Sequence, residues 1–156
     1  KKPPEPKALC AKPYFLLNRC VIYVAPFPPN LRSIAMPHLH MEYTANLPGL
    51  NADVALIRLN NTLVGSGQFA AEFDIKGRAV KVETFKVGTA MGERAFVHVK
   101  LALLSGRSPQ IKKQLSESLL AVVKDLCEWP AGVEVQLCVE ILDIDRESYA
   151  KIAIGV

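Results

Sequence analysis

Strand-like and helix-like periodicities recur in this chain in the same order twice, and that repeat constrains the fold more than any other feature of the sequence. Over 37–43 the residues alternate, with His38, His40 and Glu42 on one face and Leu39, Met41 and Tyr43 on the other, which predicts a strand. Leu47-Pro48-Gly49 breaks it. Asn51 then predicts the N-cap of a helix running to about Gly65, with Val54, Leu56, Ile57, Leu59 and Leu63 forming a broad apolar stripe. A β-branched run over 78–87, bounded by Gly77 and Gly88, predicts a second strand. The order then repeats. A strand is expected over 95–104 and a Ser-Gly-Arg-Ser turn after it. Next comes a helix capped by Ser108, opened by Pro109 and carrying Ile111, Leu115, Leu119, Val122 and Leu126 at helical spacing. Trp129-Pro130-Ala131-Gly132 stops that helix, and alternation over 133–141 predicts the last strand. A short helix from about Arg146, capped by Asp145, would follow.

Equivalent strands start near 37 and 95, and near 78 and 133, which are 58 and 55 residues apart. The expected fold is therefore α+β (α/β): a tandem β-α-β repeat whose right-handed crossovers put two helices on one face of a four-stranded sheet. The opposite face is then uncovered. With 50% of the residues hydrophobic, other subunits are expected to cover it.

Charge and proline content divide the chain just before this repeat. Residues 1–35 hold six Lys or Arg against one Glu and seven of the eleven prolines, leaving a domain over 36–156 with a net charge of −1. Prolines fix φ and remove N–H donors, so the segment over 1–35 reads as a basic, Pro-rich leader that is disordered, or as upstream sequence ahead of a start at Met36. Its cations are scattered rather than clustered, which argues against a nucleic-acid partner. No run approaches the roughly 18 apolar residues of a membrane span, and no signal-peptide pattern stands out. Cys10 and Cys20 sit in the leader, Cys127 and Cys138 in the domain, with no CxxC pair. Buried free thiols and a cytoplasmic location are the expectation.

Several short matches, in order and at similar spacing, cover nearly all of 36–156: Met36-Pro37-His38, Leu47-Pro48-Gly49-Leu50, Ala95-Phe96-Val97-His98 and Gly106-Arg107-Ser108. Together they resemble the 5-carboxymethyl-2-hydroxymuconate isomerase family of the tautomerase superfamily, and the second unit is also similar to the shorter 4-oxalocrotonate tautomerases. The resemblance implies a homotrimer, an aromatic-degradation pathway and a catalytic base that is an amino-terminal proline, exposed when the initiator methionine is removed. That residue is Pro37.

Proline suits the role because only a free secondary amine carries a lone pair that can take and return a proton; within a chain its nitrogen is an amide. Desolvation and nearby cations bring an amino group closer to neutral pH, where a general base works best. Arginines do this and also clamp substrate carboxylates by paired hydrogen bonds. By motif, Arg107 is the first such residue, lying just before a helix N-terminus that favours anions. Arg78 falls in the region of the family's strand-two arginine, and Lys76 at another basic position, so the second clamp stays open between them. A strand-edge arginine serves equally as a solvated charge. The reaction so implied converts a dienol polycarboxylate to its 2-oxo isomer with no metal or organic cofactor. Two alternatives stand beside it: a structural or binding trimer if residues 1–35 are retained, and a tautomerase for a different enol acid. Phe69 and Phe85 are candidates for apolar walls, though aromatics at such positions are more often core. His38, His40 and His98 lack a convincing carboxylate or Cys partner for a metal and read as polar packing or subunit contacts.

Overall fold

A computed structural model describes residues 36–155, so the leader over 1–35, with Cys10 and Cys20, lies outside the described residues. The elements follow as β1 (His38–Thr44), α1 (Ala52–Gly65), a 3-10 turn (Glu72–Asp74), β2 (Lys76–Val82), β3 (Arg94–Leu104), α2 (Pro109–Lys124) and β4 (Glu134–Ile144). Both helices begin as their sequences dictate. The Asn51 side chain accepts from the Val54 N–H at 3.1 Å and Ser108 Oγ from the Ile111 N–H at 3.3 Å, each satisfying an amide with no partner inside the helix.

The strands form one sheet in the order β2-β1-β3-β4. Each unit pairs its own strands in parallel, and the two units join through antiparallel β1 and β3, with His38 opposite Ala102 and Tyr43 opposite Val97. The tandem repeat is thus realised as expected. Leu39 and Met41 of β1 and Ala95, Val97, Val99, Leu101 and Leu103 of β3 point to one face. There they meet Ala55, Leu59 and Leu63 of α1 and Leu115, Leu119 and Val123 of α2 in a single core. Gly77, inside β2, lets α1 come close: a Cβ there would lie 3.2 Å from Asn60 Oδ1 and 3.3 Å from Leu56 Cδ2.

The structure differs from the sequence reading at several points. β2 starts and ends earlier than 78–87, because Gly77 is an interior strand residue paired with Leu39 and not a boundary. In α1 the inward stripe is Ala55, Leu59 and Leu63, one turn apart, while Val54 and Ile57 face solvent. Among the described residues no helix follows Asp145; its carboxylate accepts from the Glu147 and Ser148 N–H groups, an N-cap-like arrangement that closes a turn and goes no further. Cys127 is half-buried and Cys138 exposed, rather than buried, because Cys138 alternates onto the uncovered sheet face opposite His98. That face is also more polar than the composition suggested. It carries His38, His40, Glu42, Lys76, Arg78, His98, Lys100 and Glu140, with Val80 and Leu142 among its exposed apolar side chains. Most of the apolar content is used on the helix side.

Leu101 is fully buried at the centre of the core. Leu101→Ala is expected to lower stability by about 2–5 kcal/mol, seen as a reduced urea midpoint with an unchanged slope.

Candidate active site

Antiparallel joining of two parallel pairs brings the first residues of β1 and β2 to the same end of the sheet as the last residues of β3 and β4. The finish of α1 and the start of α2 lie there as well, since each helix connects strands of its own unit. Pro37 is buried at this end, directly before β1, and its carbonyl accepts from the Lys76 N–H at 3.0 Å. Met36, in front of it, is 1% exposed.

Lys76 and Arg78 share the uncovered face with His38 and His40, their partners across the β1–β2 ladder. Burial first, then the charges of Lys76 and Arg78, lowers the His38 pKa below 6.5. Arg107 sits in a different setting. Its guanidinium donates to the Leu104 and Gln68 carbonyls, each at 3.3 Å, and lies over the Phe69 ring at 5.2 Å. Burial first, then the charge of Arg146, lowers its pKa, and Asp143 opposes them. The fold therefore joins Pro37 and Lys76 directly, sets Lys76 and Arg78 beside His38, and holds Arg107 at the same end through the turn after β3.

The two phenylalanines are separated. Phe69 is the platform under Arg107, whereas Phe85 lies beyond the far end of β2, stacked edge-on against Phe96 at 6.3 Å and lining a cavity of about 200 Å³ with Asn46, Lys86 and Arg94. His98 Nε2 is 3.3 Å from Glu140, whereas His40 Nε2, 3.8 Å from Glu42, is buried without a hydrogen-bond partner among the described residues. Among the described residues no group of three or more His, Cys, Asp or Glu side chains is arranged to hold a metal ion. No helix among them is long and apolar enough to cross a membrane.

The contacts of the segment after β4 carry no signal in the sequence. Tyr149 Oη and His38 Nε2 share a hydrogen bond at 3.1 Å, Arg146 Nε donates to the Ser105 carbonyl at 2.5 Å, and Lys151 pairs with Asp74 at 2.5 Å. These three contacts tie 146–151 across the end of the sheet that holds Pro37. No local pattern announces pairings that span 111, 41 and 77 residues.

A family model for 5-carboxymethyl-2-hydroxymuconate isomerase matches residues 37–154. The chain belongs to that family. It is 33% identical over 95 residues to the 5-carboxymethyl-2-hydroxymuconate Delta-isomerase of Escherichia coli, a match covering 57% of this chain and 71% of the relative. A crystal structure of a 5-carboxymethyl-2-hydroxymuconate isomerase from Deinococcus radiodurans R1 superposes with a TM-score of 0.71 at 29% identity, covering 79% of this chain and 93% of that one. The wild-type symmetric trimer of a fused 4-OT shares the fold, with a TM-score of 0.55 at 20% identity over 76% of this chain and 94% of its own. Family membership makes this chain an isomerase with a tautomerase fold.

The charges around His38 give a pH dependence with a definite sign. A histidine whose folded pKa lies below 6.5 binds fewer protons folded than unfolded, so its contribution to stability is intact above that value and declines as pH falls through it. Imidazole resonances followed by NMR are expected to titrate below 6.5 for His38 and to move upward in Lys76→Gln; a downward move contradicts the assigned cause.

Proposed function

We propose that the chain is a cofactor-independent isomerase that converts 5-carboxymethyl-2-hydroxymuconate to its 2-oxo isomer, with Pro37 as the proton-transfer base. The observation that supports this reading is that Pro37, Lys76 and Arg78 at the start of β1 and β2, and Arg107 in the turn after β3, fall toward the same end of the sheet, in a chain of the 5-carboxymethyl-2-hydroxymuconate isomerase family. In the active form Pro37 is the first residue and its nitrogen a secondary amine. Burial of this position disfavours a charged amine in general, and cations brought near it would act the same way, so that a lone pair is available to a base of this kind.

The neutral amine takes the proton of the 2-hydroxyl group. Electrons of the O–H bond form the C2 carbonyl, the double bonds shift from C2=C3 and C4=C5 to C3=C4, and the ammonium returns a proton to C5. Nothing is oxidised or reduced. Arg107 and either Lys76 or Arg78 hold carboxylates and offset the negative charge that grows on the 2-oxygen. The enzyme acts as a cytoplasmic homotrimer in aromatic degradation; of these three properties, the trimer alone draws support from the symmetric fused 4-OT trimer that shares the fold. While residues 1–35 remain attached, Pro37 is an amide and the chain is limited to a binding or structural role.

Pro37→Ala, in protein beginning at that residue, is expected to reduce kcat for dienol conversion by about 10²–10⁴-fold with the fold intact by circular dichroism. Wild-type rates in this variant would remove Pro37 from the mechanism. Activity on another enol acid and none on the carboxymethyl compound would reassign the substrate.

A further inference from the structure

Arg146 lies beside Arg107 at the turn between β3 and α2. Its Nε is bound to the Ser105 carbonyl, and its guanidinium lies 3.6 Å from where a Cβ on Gly106 would stand; Gly106 itself has φ +112, a conformation that suits glycine. The two arginines are thus fixed to consecutive carbonyls, Leu104 and Ser105, on either side of one residue of backbone.

Carboxylates near this turn are already engaged. Asp143 is held by Lys112 Nζ at 2.5 Å, and Asp145 accepts from two backbone amides of its own turn. Among the described residues neither Arg107 nor Arg146 has a carboxylate within ion-pair distance. Like charges so close repel, and the mutual effect is visible in the lowered Arg107 pKa, of which Arg146 is the second cause after burial. A guanidinium has five N–H donors. Arg107 spends two on carbonyls and Arg146 one, so both retain donors enough for a forked carboxylate contact.

We propose that Arg146 is a specificity residue which, with Arg107, takes the carboxylate of the substrate's carboxymethyl arm. The proposal rests on the isomerase reading above and names the group of that substrate which this turn binds. Discrimination follows from the chemistry: a dienol without the arm leaves both guanidinium groups without an ion-pair partner, whereas one with it supplies a carboxylate. Lys76 or Arg78, on the other side of Pro37's strand, then serves the carboxylates of the main chain of the substrate.

The test compares 5-carboxymethyl-2-hydroxymuconate with 2-hydroxymuconate, which is the same dienol lacking the arm, in protein beginning at Pro37. Arg146→Gln is expected to raise KM about tenfold or more for the first and less than twofold for the second, with kcat nearly constant for both. An unchanged KM for the first substrate, or an equal rise for both, overturns the proposal, since loss of the Ser105 contact alone would affect both alike. Calorimetry with propane-1,2,3-tricarboxylate and succinate provides a readout independent of turnover. Wild-type protein is expected to prefer the tricarboxylate several-fold and the variant to lose that preference; a preference that survives the substitution also overturns the role of Arg146. A wild-type protein that binds the tricarboxylate selectively yet isomerises neither dienol contradicts the proposed reaction and leaves the arginine pair standing.

Discussion

The antiparallel contact between β1 and β3 is the constraint on which the rest depends. Each β-α-β unit alone buries only one side of a two-stranded ribbon, and such a ribbon is marginal in water. Joining the units with His38 opposite Ala102 completes a four-stranded sheet, puts Leu39, Met41, Val99 and Leu101 at its centre, and lets both helices share one core. The same register brings the start of β1 to the end of β3. A slip of one residue would turn Leu39 and Met41 outward and His38 and His40 into the core, so the alternation of this strand pins the register strongly.

From that register the electrostatics of the end of the sheet follow. Lys76 and Arg78 arrive because β2 runs parallel to β1, Arg107 because α2 begins where β3 finishes, and Arg146 and Tyr149 because β4 ends beside it. Cations gather on a domain whose overall charge is slightly negative, and their fields act on His38 and on Arg107. Such a place suits a small polyanion and an amine that works unprotonated.

Much of the fold was legible because it is locally encoded. Asn51 and Ser108 marked both helix starts, and alternation marked β1 and β4. Gly77 misled, since glycine next to a strand signal reads as a stop, yet here it is the strand residue that admits the Leu56 and Asn60 side chains. Asp145 misled in the same way: it caps amides as at a helix start, but only a single turn follows it. For the candidate site, short motifs singled out Pro37 and Arg107, which the fold sets toward the same end of the sheet. What Arg107 rests on, the Gln68 carbonyl and the Phe69 ring, depends on chain packing across nearly forty residues, as do the positions of Arg146 and Tyr149.

On the proposed mechanism, activity belongs to chains whose first residue is Pro37. Intact-mass spectrometry across a chromatographic profile assayed for dienol isomerisation tests it most directly. Activity is predicted to track the species beginning at Pro37, with longer species inactive. Full activity in a fraction whose every chain still carries Ala35-Met36 would contradict the account.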